Sequence, residues 1–140
     1  VNIVEFPIKR LFSVGYQGVA ADDADGWLSI CKAPFDGNIT AAYFMPAAAI
    51  TGHATDRRDI ELFRATPAGS FGSVAANIDF TAGNGAFAHT EKAFTLSATA
   101  ANLAVSEGDY VLFKSDTNGA GAPDVVGLVT VEITRVLDAD

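Results

Sequence analysis

Three oxygen-bearing side chains fall close together in the stretch DTNGAGAPD: Asp116, Asn118 and Asp124 stand among Gly119, Gly121 and Pro123. Carboxylate and amide oxygens at alternating positions are what a calcium loop uses, together with a bidentate acid that closes the site. Asp116 and Asn118 begin such a series. No acid follows at the distance an EF-hand needs, and both flanks read as strands. The stretch also lacks the Lys-Ser/Thr pair of a phosphate-binding loop. Its residues favour a plain turn, in which Asn118-Gly119 reverses the chain and Gly121 and Pro123 shape the return. The segment DDADG, residues 22–26, poses the same question with Asp23, Asp25 and Gly26. WLSICKAP follows it and supplies no closing acid, so a solvated acidic loop is expected.

Other reactive side chains are sparse. His53 and His89 are the only histidines. A hydrolytic triad needs a positioned nucleophile, a base and an orienting acid, and no G-x-S-x-G elbow is present. TGHATD and FAHTEK both read as exposed loops, and no His-x-x-x-His or Cys/His spacing suits zinc. A single cysteine, Cys31, excludes an intrachain disulfide. It sits in the apolar run WLSIC and reads as a small buried hydrophobe. The expectation is a chain with no catalytic residue, no metal and no cofactor. The aromatics fall within or beside strands, so core packing is their default role. Trp27, Tyr16 and Tyr110 are too few and too scattered for a carbohydrate-binding face.

The elements that carry these residues are strands. In SVAANIDF, Val74, Ala76, Ile78 and Phe80 share one face, and Ser73, Ala75, Asn77 and Asp79 the other. FTLSA and LVTVEIT alternate in the same way, the pattern of a strand with one face on a core. ITAAYF and YVLF are apolar on both faces, which suits a central strand or one covered by a second subunit. Turn chemistry separates the runs at 33–38, 66–69, 81–86, 106–109 and 117–123. About eight strands result, near Ile8–Val14, Trp27–Cys31, Ile39–Phe44, Asp59–Ala65, Ser73–Phe80, Phe94–Ala98, Tyr110–Ser115 and Gly127–Val136. ATAANLAV, residues 98–105, is expected to form a turn. The fold class this predicts is all-β, a jelly-roll-like antiparallel sandwich. Residues 1–26 read as an N-terminal arm or first strand with an acidic loop, and 27–140 as the sandwich, within one folded domain.

Size and charge narrow the function. A chain of 140 residues can bury a sizeable core without staples. Apolar residues make up 49% and charged residues 19%, which argues against disorder. The net charge of −8 and a pI near 4.5 make nucleic acid an unfavourable partner, since acidic chains repel phosphate backbones. No apolar stretch approaches the roughly 20 residues that span a bilayer, so no membrane partner is expected. VNIVEFPIKRLF lacks the basic start and cleavage site of a signal peptide, which predicts synthesis in a cytoplasm.

From about Gly37 to Ile133 the chain resembles the β-sandwich decoration, or cement, proteins and head-fibre modules of tailed bacteriophages. The likeness is carried by GNITAAYFMPAAAITG, DIELFRA and AFTLSATAANLAVSEGDYVLFKSDTNGAGAPDVVGLVTVEI. It is a pattern of strands and turns rather than a catalytic signature. The resemblance implies a non-enzymatic protein on the exterior of the virion capsid, made in the host cytoplasm. Its partners would be the major capsid protein and itself, as a dimer or trimer. The alternative on the same fold is a receptor- or glycan-binding head-fibre or tail-spike module. An exposed aromatic platform in a groove would favour that alternative, and a flat apolar underside with an ordered N-terminal arm would favour the cement. Val1, Asn2, Ile3, Val4, Phe6, Ile8 and Phe12 are the candidate partner-binding residues, because an apolar start precedes any clear domain. A plain first strand is the competing reading of Val1–Val14.

Overall fold

Val129, Val131 and Ile133 are fully buried, while Leu128, Thr130 and Glu132 between them face outward. That period-two segregation, repeated along the chain, builds two sheets that close on one core. The computed structural model describes residues 8–136. In chain order the elements are β1 (Lys9–Tyr16), β2 (Gly26–Lys32), β3 (Gly37–Pro46), β4 (Arg57–Ala65), β5 (Phe71–Asp79), β6 (Lys92–Ala93), β7 (Thr95–Leu96), α1 (Ala100–Leu103), β8 (Ala104–Val105), β9 (Tyr110–Asn118) and β10 (Gly127–Arg135).

The first sheet runs β1-β10-β3-β6, with β8 also paired to β3, and the second runs β2-β9-β4-β5-β7. Every pairing is antiparallel. Strands β1 to β4 alternate between the sheets, and β9 and β10 return to fill the gaps left beside β2 and β1. This is jelly-roll connectivity, with both ends of the chain laced into each sheet. The expected all-β sandwich is the fold.

The core lies between the sheets and is filled by Phe44, Phe80, Phe113, Leu62, Ile39, Val111 and their neighbours. β3 and β9, apolar on both faces, are interior strands, β3 beside β10 and β9 between β2 and β4. Their outward Tyr43 and Leu112 are half-buried among side chains of the same face.

Two expectations need correction. The run Phe94–Ala98 is not one strand: Lys92–Ala93 pairs with β3 and Thr95–Leu96 with β5, so the chain crosses between sheets at the buried Phe94. The Phe94 N–H donates to the Ala42 carbonyl at 2.9 Å, pinning the crossing. Pairs this short carry no periodicity to read. Ala75, placed outward by alternation, is fully buried, and Val74, placed on the core face, turns outward opposite Phe63, because the register of β4 against β5 shifts between Leu62 and Phe63 and leaves Ala75 as the extra residue of a bulge. The expected turn at 98–105 is the single helical turn α1 followed by β8.

Candidate functional site

The loops that raised the question of a metal close on one another instead. Arg58, on an inward position of β4, is buried and donates to the carbonyls of Ala21, Asp22, Ala24 and Ala122 at 2.8 to 3.2 Å. Its Nε lies 3.6 Å from Asp124 Oδ1. Asp124 also accepts from the Tyr16 hydroxyl, from Val19 N–H at 2.9 Å and from the Ser115 hydroxyl at 2.8 Å. Both carboxylate oxygens are therefore consumed by protein donors, and none is left to coordinate an ion. Burial, then the hydrogen bond to Asp124, pushes the Tyr16 phenol above its ordinary pKa. A void of about 30 Å³ beside this knot has room for roughly one water. Small-molecule sites run to several hundred Å³.

The remaining candidates are likewise spent on structure. Asp25 accepts from Thr117 N–H at 2.9 Å and from its hydroxyl at 3.0 Å, and the backbone hydrogen bond chiefly holds its pKa down. The His53 ring accepts from Asp56 N–H at 2.8 Å, fixing its own loop. His89 sits in a left-handed turn at φ 57°. Burial pushes the Cys31 thiol up to about 11, away from the nucleophilic thiolate. Among the described residues, no group of three His, Cys, Asp or Glu side chains could hold a metal, and no helix is long and apolar enough to cross a membrane.

What the interior lacks in free polar groups, the outer faces offer as contact area. On the second sheet, the strand registers set outward side chains in rows: Asp116–Asp59–Asp79, then Trp27–Lys114–Glu61–Asn77, then Leu112–Phe63–Val74. Trp27 stands 50% exposed and Phe71 59%. The Trp27 ring stacks on Phe71 at 5.7 Å, lies 6.1 Å from Phe63, and carries the Lys114 ammonium 5.0 Å from its centroid. Lys114 is in turn 3.0 Å from Asp116 and 3.7 Å from Asp25. Burial alone would lower the Lys114 pKa, but the hydrogen bond to Asp116 and the surrounding carboxylates outweigh it and raise it. Glu61 is raised, first by burial and next by the charge of Asp116.

This aromatic group is the feature sequence reasoning missed. By sequence, Trp27 has the default role of core packing with the other aromatics, whereas it stands half-exposed on the outer face. Phe63 and Phe71, however, reach it only through strand pairings that no local pattern displays.

The first sheet's outer face has a different character. Its rows are Gly15–Leu128–Met45, Ser13–Thr130–Tyr43–Ala93 and Leu11–Glu132–Ala41. Leu11, Leu128 and Met45 are exposed. The hydroxyls satisfy one another: Ser13 with Thr130 at 2.8 Å, Thr40 with Thr134 at 2.7 Å, and Thr40 donating to Glu132 at 2.7 Å. Among the described residues, the charges in or directly beside these rows are Lys9 and Glu132, 3.8 Å apart. Such a face loses few water hydrogen bonds when covered.

Of the partner-binding residues expected from sequence, Val1, Asn2, Ile3, Val4 and Phe6 lie outside the described residues. Ile8 is exposed just before β1, and its carbonyl accepts from Arg135 N–H at 2.8 Å. Phe12 lies on the edge strand β1, half-buried against the core. Residues 9–14 are thus the first strand of the sandwich.

No protein family and no curated protein matches the chain. Among solved structures, it is similar to a chain of the cyanophage Pam1 capsid asymmetric unit, at 13% identity and a TM-score of 0.48, over 93% of this chain and 85% of that one.

Proposed function

We propose that this chain is a phage capsid decoration protein, which binds the outside of the assembled head through the major capsid protein and stabilises it without catalysis. The observation that carries the reading is that exposed apolar side chains stand on both outer faces of the sandwich, Leu11, Leu128 and Met45 on one and Trp27 and Phe71 on the other. A clamp must hold two surfaces at once, and a jelly roll with two unlike contact faces does so. The buried polar groups, by contrast, are spent on one another. Cementing then works by mass action, since a ligand that binds only the intact shell stabilises it. We assign shell contact to the N-terminal residues Val1, Asn2, Ile3, Val4, Phe6 and Ile8, and self-association as a dimer or trimer matches the symmetry of a shell.

The test is to mix the purified protein with undecorated heads. Co-sedimentation and a raised disruption temperature are expected. Absence of both sinks the reading. The exposed Trp27–Phe71 stack also suits a receptor- or glycan-binding module, and saturable binding to host polysaccharide with none to heads would establish that reading instead.

A further inference from the structure

The second sheet's outer face combines features that together specify an occupant. Trp27 and Phe71 form an exposed apolar ridge, and the Trp27 ring is already held by Phe63, Phe71 and Lys114. A ring fixed before docking loses little rotamer entropy on binding. Tryptophan is among the residues enriched at the hot spots of protein interfaces.

Lys32 and Arg64 lie toward the Phe71 end of this face, while toward Trp27 five carboxylates, Asp25, Asp59, Glu61, Asp79 and Asp116, stand with two cations, Arg57 and Lys114. Both cations are already committed, Arg57 to Asp59 at 2.9 Å and Lys114 to Asp116 at 3.0 Å. Asp116, Asp59 and Asp79 face one another across three adjacent strands. Like charges directly opposite on a sheet destabilise it. Arg57 and Lys114 offset part of that cost in the isolated molecule, and a cationic partner would relieve the rest. Glu61 and Asp79 form no salt bridge among the described residues.

We infer that this face is the shell-docking surface, and that its occupant is a protein surface with an apolar hollow for Trp27 rimmed by arginine or lysine. The inference rests on the decoration reading and adds to it the face used and the chemistry of the partner. The first sheet's face, with one internally paired cation and anion, offers no such charge complementarity.

The experiment compares wild type with Trp27→Ala, Asp79→Asn and Phe87→Ser in co-sedimentation with undecorated heads, after circular dichroism has shown each variant folded. Trp27→Ala should weaken binding more than about tenfold, the loss typical of an interface anchor. Asp79→Asn should raise the melting temperature of the free protein while slowing association and flattening its salt dependence. Phe87→Ser, at an exposed residue of the loop between β5 and β6 and on neither outer face, should bind as wild type does. Hydroxyl-radical footprinting of the wild type on heads gives a second readout independent of any variant, with Trp27 and Phe71 protected. Wild type that fails to bind heads removes the decoration reading and this inference together. Wild type that binds while Trp27→Ala binds equally, or while Trp27 stays unprotected, overturns this inference alone. So does a polysaccharide that competes with heads for the ridge, since the occupant would then be a glycan.

Discussion

The Arg58 guanidinium lies 3.6 Å from the Asp124 carboxylate, and the two side chains keep only 6% and 3% of their exposure. They stand 66 positions apart in the chain, and the pair ties loop 17–25 and loop 119–126 to the mouth of the core through Tyr16, Ser115 and four backbone carbonyls. Removing one member of a buried, hydrogen-bonded ion pair leaves the other charged and unpaired, at about 3–5 kcal/mol. Asp124→Ala and Arg58→Ala are each expected to lower the urea unfolding free energy by that order, and the double variant by much less than the two together. Additive losses would show that the two side chains act independently.

How much of this was legible in the sequence follows from the range of the interactions. Alternation in LVTVEIT and SVAANIDF depends on neighbours two residues apart, so strands and fold class could be read. The turn at 117–123 could be read from Asn118, Gly119 and Pro123. Asp124, however, appeared there only as a possible ligand, and nothing in its local sequence singled out Arg58. Their shared burial depends on β4 and β9 lying side by side, a long-range fact that no local spacing encodes. The bulge at Ala75 and the sheet crossing at Phe94 were hidden for the same reason.

A close approach in the core gives a second prediction. Gly127 faces the Phe44 ring, and a Cβ there would come within 2.6 Å of two ring carbons. Gly127→Ala should therefore cost about 1–3 kcal/mol by overpacking. Gly15, on the edge strand, would place its Cβ no closer than 3.6 Å to the Gln17 side chain. Gly15→Ala is expected to be neutral or slightly stabilising. Thermal unfolding of the two variants side by side tests the contrast.

Alkaline pH should destabilise the protein. Burial raises the pKa of Tyr16 and of Cys31, the latter to about 11. Unfolded, the thiol ionises near about 8.5 and the phenol near about 10. The unfolded chain therefore releases these protons at lower pH than the folded one, and stability falls as pH rises through that interval. It is fully retained below about pH 8. Unfolding free energies measured from pH 7.5 to 11 should decline from about pH 8.5 upward, and Cys31→Ala should remove the first part of the decline. A flat profile would show that neither group keeps its proton in the folded state.

Binding and clamping are separable if the sandwich bridges two surfaces. Met45 and Leu128 are register partners at the centre of the first sheet's apolar face, on the opposite side of the core from Trp27. A doubly charged variant, Met45→Lys with Leu128→Lys, places two cations on a face with one internal ion pair and cannot be buried against an apolar neighbour without a large desolvation cost. Both side chains are exposed in the free protein, so its own folding should change by less than about 1 kcal/mol. If each face grips a different neighbour, this variant still sediments with heads through the second sheet but no longer raises their disruption temperature. A protein held by one face alone would stabilise heads as well as wild type does, because its unused face could carry any charge without consequence.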